Sequence, residues 1–232
     1  MKTIYLLILL SFSLATQAEC VILLHGLARS DSSMRKLQDE LEKEGFTVQN
    51  VSYESTKFNI ETLAPAAIDP AIVKCGNGNS VNFVTHSMGG ILVRQYLSKK
   101  HLPQLNKVVM LGPPNKGSEV VDTLVKFPGF HFINGDAGLQ LGTGKSSVPN
   151  KLGAVDFDLG VIAGTRSINI ILSAIIPGSD DGKVSIENTK IKGMKDHIEM
   201  SVTHPFMMKN NEVINQVIQY LRHGEFYRAK SL

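Results

Sequence analysis

Residues 80–97 read SVNFVTHSMGGILVRQYL, and one residue, Ser87, separates two different periodicities. The segment up to His86 is a β-rich, largely apolar run of the kind that forms a strand buried on both faces. The segment from Gly89 onward carries apolar residues at helical spacing. A strand that becomes a helix across a single residue demands a sharp turn. Gly89 and Gly90 place almost no side chain just after that turn, where the two elements must pass close together.

The same alternation runs along the chain. CVILLHG (20–26) is a continuous apolar run stopped by glycine and reads as a buried parallel strand. A loop follows, with Ser32 or Ser33 as N-cap candidates, then MRKLQDELEKEG, where Met34, Leu37 and Leu41 share one helical face and Gly45 stops it. FTVQNVSY (46–53) alternates like a strand, and IETLAPAAIDPAIVKC is helical in parts, interrupted at Pro65 and Pro70. NKVVMLGPP (106–114), FDLGVIAGT (157–165) and KDHIEMSV (195–202) read as further strands. NNEVINQVIQYLRHG closes the chain as an amphipathic helix. Strands alternating with helices imply βαβ units and a mainly parallel sheet. No internal repeat or linker-like stretch divides the chain, so residues 19–232 are expected to form one domain.

The first 18 residues stand apart. Lys2 precedes an apolar core of eleven residues from Ile4 to Leu14, then small and polar residues. A bilayer span needs ~20 apolar residues, so the pattern is that of a signal peptide cleaved after Thr16-Gln17-Ala18. The expected location is secreted or periplasmic. The net charge of +3 comes from scattered lysines and arginines, without the dense basic stripe of a nucleic-acid binder. The two cysteines, Cys20 and Cys75, lack the spacing of a zinc site.

A strand, a sharp turn carrying serine and a helix form the nucleophile-elbow arrangement, in which the turn lifts the serine Oγ above the sheet. Thr85 stands two residues before Ser87, where the usual pattern has glycine. Backbone N–H groups at the start of the helix point toward the reacting centre, which nominates the Met88 N–H as an oxyanion donor. A second donor belongs in the loop after the first strand, where LLHGLARS nominates the Leu27 N–H.

With these motifs in place, the chain resembles the α/β-hydrolase superfamily, in particular its small lipase- and esterase-like members. LLHGLARS, VTHSMGG, VVMLGPPNKGS and SDDGKVS carry the resemblance in that order, followed by a histidine before the final helix. YESTK after the second strand is also similar. The resemblance implies a minimal α/β-hydrolase fold, with a mainly parallel sheet of about six strands flanked by helices. It also implies a chain order of serine, acid and histidine. In family members the carboxylate directly precedes glycine, which selects Asp181 over Asp180. His204 follows the last strand and precedes the closing helix, whereas His197 lies inside that strand. The implied catalytic set is Ser87, Asp181 and His204. His25 and His86 read as structural residues that order the oxyanion loop.

The resemblance further implies that the strand ending in His25 lies beside the strand ending in Ser87. Cys20 and Cys75 would then meet at the end of the sheet opposite the active site and form a disulfide. A small cap is expected over about residues 115–156, with Phe127, Phe130, Phe132 and Leu139 as candidates to line an acyl groove. GTGKS (142–146) imitates a phosphate loop, but Leu139 stands where the full pattern needs glycine and no apolar strand leads in. The expected activity is hydrolysis of acyl or lipid esters through an acyl-enzyme, with no cofactor and at most transient contact with a lipid surface. Acyl transfer or thioester hydrolysis on the same triad, and a non-catalytic binding protein on a hydrolase scaffold, remain the alternatives.

Overall fold

The apolar runs pair in parallel as one sheet, with strands β1 (Glu19–Leu24), β2 (Thr47–Val51), β3 (Ser80–His86), β4 (Leu105–Leu111), β5 (Leu159–Gly164) and β6 (Asp196–Met200) in the order β2-β1-β3-β4-β5-β6. The computed structural model describes residues 19–168 and 170–229, so the expected signal segment lies outside the described residues. Burial alternates along each central strand. Cys20, Ile22 and Leu24 of β1 enter one apolar layer, and Val21 and Leu23 enter the other. Phe83 and Met110 continue the first layer, and Val84 and Val109 the second. A sheet buried on both faces needs helices on both faces.

Those helices follow in chain order as α1 (Arg35–Lys43), α2 (Ile60–Cys75), α3 (Met88–Leu97), α4 (Glu119–Leu124), α5 (Phe130–Leu139), α6 (Val148–Lys151), α7 (Ile170–Ser173), α8 (Ile186–Thr189) and α9 (Asn211–His223). α2 and α3 pack on one face. α1 and α9 cover the other, where Val213, Ile214, Val217 and Leu221 of α9 are buried. The architecture is the minimal α/β-hydrolase fold.

Local detail departs from the sequence pattern in three places. α2 runs unbroken through Pro65 and Pro70. An internal proline costs a helix about 3 kcal/mol. Against that, the fully buried Ile60 and Ile68 and the nearly buried Leu63 hold α2 to the sheet, each contributing roughly 1.5–3 kcal/mol. The Asn59 side chain also caps the helix by accepting the Thr62 N–H at 2.9 Å. Neither Ser32 nor Ser33 caps α1, because a 3-10 turn over Asp31–Met34 precedes it and the Ser33 hydroxyl donates to the Ser30 carbonyl at 2.6 Å. Residues 130–139, within the segment expected as a small cap and given no helix in the sequence reading, form α5 with a kink at Gly135, where φ is 62°. A side chain at Gly135 would collide with the Thr56 backbone.

A disulfide joins Cys20 at the start of β1 to Cys75 at the end of α2, a sequence separation of 55. The β1–β3 register, Glu19 beside Ser80 and Leu24 beside Thr85, puts the bridge at the strand-start end of the sheet and Ser87 beyond the opposite end.

Candidate active site

Ser87 joins β3 to α3 with φ 54° and ψ −122°, a conformation a side chain rarely adopts. Such strain amounts to about 1–3 kcal/mol and persists only where neighbours impose it. The Ser87 N–H donates to the Leu111 carbonyl at 2.9 Å, and the Ser87 carbonyl accepts the Gly90 N–H at 3.0 Å. A Cβ on Gly89 would stand 2.5 Å from the Leu24 oxygen and 2.9 Å from that of His25, so the β1 backbone leaves room only for glycine. Thr85 is fully buried, and a Cβ on Gly90 would lie 3.2 Å from its Oγ1. The bare Gly90 therefore makes space for the threonine that replaces the usual glycine.

Asp181 follows Asp180 in the turn before α8, and His204 begins a 3-10 turn after β6. The His204 Nδ1–H donates to Asp181 Oδ2 at 2.6 Å. Asp181 Oδ1 accepts the Lys183 and Val184 N–H groups, each at 2.9 Å. The His204 N–H donates to the Asp181 carbonyl at 2.9 Å, which fixes the two loops to each other. Gly112, at the end of β4, clears the space, because a Cβ there would come within 2.8 Å of Asp181 Oδ2 and 3.0 Å of His204 Nδ1. Asp180 is engaged elsewhere, accepting from the Ser173 hydroxyl and the Gly182 N–H. His197 stays in β6, 3.0 Å from the Thr189 hydroxyl. The His204 Nε2 and the Ser87 hydroxyl have no hydrogen-bond partner among the described residues, and both groups belong to side chains that line the same cavity.

The loop after β1 is held from several sides. Ala28 has φ 52°, and its N–H donates to Ser55 Oγ at 3.1 Å. The His25 ring stacks on Tyr53 at 4.0 Å, and the Tyr53 hydroxyl donates to the His25 carbonyl. Leu27, from this loop, lines the cavity beside Ser87, and Met88 begins the helix directly after it. His86 donates its Nε2–H to the His204 carbonyl at 2.9 Å, and its ring lies 4.7 Å from that of His204.

Burial and the neighbouring His204 hold the His86 pKa well below its ordinary 6.5. A histidine whose folded pKa is depressed resists protonation only while folded. Its contribution is therefore intact above the unfolded pKa and is lost as pH falls below it. His25 and His197 are shifted the same way, mainly by burial. The urea midpoint is expected to drop between about pH 7.5 and about pH 5.5, and His86→Gln should make that drop smaller.

The cavity has a volume of about 370 Å³. Val120, Val121, Leu124, Phe130, Ile133 and Leu141 supply an apolar wall from the segment between β4 and β5. Of the four residues nominated for the groove, only Phe130 lines this cavity. Phe127 and Phe132 are 61% and 94% exposed and Leu139 is 42% exposed. Helical phase decides this: Phe130 and Ile133, three apart on α5, face the cavity, and Phe132 falls off that face. The base of the segment is held by Arg94 of α3, which donates to the Asn115, Pro149 and Gly153 carbonyls at 2.8–3.0 Å. Burial pushes its pKa down to about 10. The GTGKS turn holds an internal carboxylate, since Asp122 accepts the Thr143 N–H at 3.0 Å. No helix among the described residues is long and apolar enough to cross a membrane.

Comparison with known proteins gives the fold its setting. Residues 77–127, which contain Ser87 and β4, match the family described as Alpha/beta hydrolase of unknown function (DUF915). A search of curated proteins returned no match. Among solved structures, the mature form of Bacillus licheniformis lipase BlEst2 aligns with a TM-score of 0.70 and 17% identity, over 90% of this chain and 93% of that one. The metagenomic carboxyl esterase MGS0156 aligns with a TM-score of 0.62 and 17% identity, over 82% and 65%. Phospholipase PlaB from Legionella pneumophila aligns with a TM-score of 0.60 and 21% identity, over 75% of this chain and 46% of that one. By sheet order, by the family match around Ser87 and by these structural likenesses, the chain is an α/β hydrolase in fold, similar in architecture to lipases and esterases.

Proposed function

We propose that the chain is a serine hydrolase of the lipase or esterase type, cleaving carboxylic esters of acyl chains. One observation carries this reading. Ser87, in a strained turn, and His204, whose far nitrogen bonds the buried Asp181, open onto one largely apolar cavity. His204 Nε2 takes the Ser87 proton as Oγ attacks the ester carbonyl carbon. The Leu27 and Met88 N–H groups stabilise the oxyanion, and removing one such donor typically costs about 10²–10³ in rate. The bond from carbonyl carbon to alcohol oxygen then breaks. The alcohol leaves with the proton from His204, and the acyl group stays on Ser87. Water, giving a proton to His204, attacks the acyl carbon, and Ser87 departs with that proton as the carboxylic acid is released. Asp181 holds the His204 tautomer and stabilises its cationic form. The contact between Ser87 and His204 closes with substrate, as such bonds commonly do. These steps use side chains and backbone alone.

The exposed Phe127, Phe132 and Ile133 supply apolar surface for transient contact with a lipid phase. The leader-like N-terminus and the disulfide support export to the periplasm or beyond. A fluorophosphonate probe is expected to label the wild-type protein and not Ser87→Ala, whereas equal labelling of both would reject Ser87 as the nucleophile. A p-nitrophenyl ester series would then define the acyl length accepted.

A further inference from the structure

The mouth of the cavity carries two cations that the hydrolytic steps leave unused. Arg29 and Lys183 both line it, and no Asp or Glu does. Neither side chain has a hydrogen-bond or ion-pair partner among the described residues. Some surface lysines are paired, as Lys100 is with Asp69 and Lys195 with Asp158, and what sets Arg29 and Lys183 apart is that both line the cavity of Ser87. Partial desolvation and the nearby Arg29 charge push the Lys183 pKa below its ordinary value, against the pull of Asp181. Asp181 is the carboxylate that bears on Lys183, but it is 1% exposed and already accepts from His204 and two backbone N–H groups.

Both cations stand on anchored backbone. Arg29 follows Ala28, whose N–H is held by Ser55. The Lys183 N–H donates to Asp181, and its carbonyl accepts the Ser118 hydroxyl at 2.7 Å. One cation thus extends from the loop that carries Leu27, and the other from the loop that carries Asp181. The apolar wall comes from different elements, α4, α5 and Leu141. The cavity therefore offers an acyl chain an oily surface and offers an anion two unpaired cations, beside the same serine.

We propose that the preferred substrate is an acyl ester whose alcohol half carries a phosphate close to the ester, as in a glycerophospholipid or its lyso form, with Arg29 and Lys183 holding that phosphate. This deepens the ester-hydrolase reading and rests on it. Guanidinium and ammonium groups suit the role because both bond phosphate oxygens through charge-assisted contacts.

The test compares 1-decanoylglycerol 3-phosphate with 1-decanoylglycerol, which share the acyl ester and differ by the phosphate, each presented below its aggregation concentration. The wild-type kcat/KM should favour the phosphate ester about tenfold, the product of two exposed charge contacts of ordinary strength. The R29Q/K183Q double variant should bring the ratio of the two kcat/KM values close to one, and R29E/K183E should reverse it. Added salt should shrink the wild-type preference, since exposed charges are screened. A wild-type ratio of one or below, or one that both double variants leave unchanged, would overturn the proposal while leaving the ester hydrolase intact. Inorganic phosphate in tenfold excess over substrate should leave the preference where sodium chloride of the same ionic strength leaves it. If phosphate erases a preference that the matched chloride leaves, the pair is a site for free anions and the substrate assignment is overturned. Turnover of neither ester, with no fluorophosphonate labelling of Ser87, would instead sink the hydrolase reading and this proposal with it.

Discussion

Asp181→Asn is expected to lower kcat/KM on a p-nitrophenyl ester by about 10⁴-fold while the protein stays folded. The reason lies in which oxygen of Asp181 is pinned. Oδ1 accepts two backbone N–H groups, from Lys183 and Val184. In the asparagine variant the amide oxygen must take that position, because an NH₂ group there would face two donors. The amide NH₂ is then turned toward His204 Nδ1, which Asp181 Oδ2 now contacts at 2.6 Å. The imidazole answers by carrying its proton on Nε2, and a protonated Nε2 cannot accept the proton of Ser87. The backbone bonds that join the two loops survive, so circular dichroism and the melting temperature should change little. Asp180→Asn is the matched control. Its carboxylate bonds Ser173 and Gly182 rather than His204, so it should retain activity within about tenfold. An Asp181→Asn enzyme within tenfold of wild type would remove Asp181 from the assignment.

The site was legible in the sequence where its chemistry is tied to short-range order. Ser87 sits between a strand and a helix, and a junction of one residue declares its own geometry. The β1–β3 pairing that brings Cys20 toward Cys75 followed from the resemblance, which supplies strand order where periodicity does not. The failures share a physical cause. Pro65 and Pro70 signal a broken helix locally, and packing of the α2 stripe overrides the signal. Phe127, Phe132 and Leu139 are apolar residues in the expected cap segment, where the sequence reading assigns no helix over 130–139. Without knowing that 130–139 is a helix, no phase could separate Phe130 from Phe132. Arg29 and Lys183 are 154 residues apart, and each reads as ordinary surface charge until the fold sets both at one cavity mouth. Gly112 belongs to this class too. It stops a strand in the sequence, and only the folded chain shows that a methyl group there would press on both Asp181 and His204.

Removing the disulfide with the Cys20→Ala/Cys75→Ala pair should lower the free energy of unfolding by about 4 kcal/mol on the chain-entropy model. The bridge closes a loop across 55 residues, and that loop contains β1, α1, β2 and α2, together with the Leu27 turn. Unfolded, the bridged chain has far fewer arrangements than the open one, so the folded state gains relative stability. Domains of this kind are commonly stable by only about 5–15 kcal/mol, so the loss is a large share of the total. Equilibrium denaturation gives the measurement. Reductant should destabilise the wild type by a similar amount and leave the double variant unaffected. Because the bridge lies at the strand-start end of the sheet, kcat/KM per folded molecule should stay near the wild-type value in mild conditions. Stability and turnover are then separable: the bridge sets how much denaturing stress the sheet survives, and the opposite end of the same strands sets the chemistry. A loss below about 1 kcal/mol would mean that the reduced, unfolded chain already keeps this loop compact. A collapse of turnover in the folded double variant would mean that strain at the strand starts reaches Ser87 through β1 and β3.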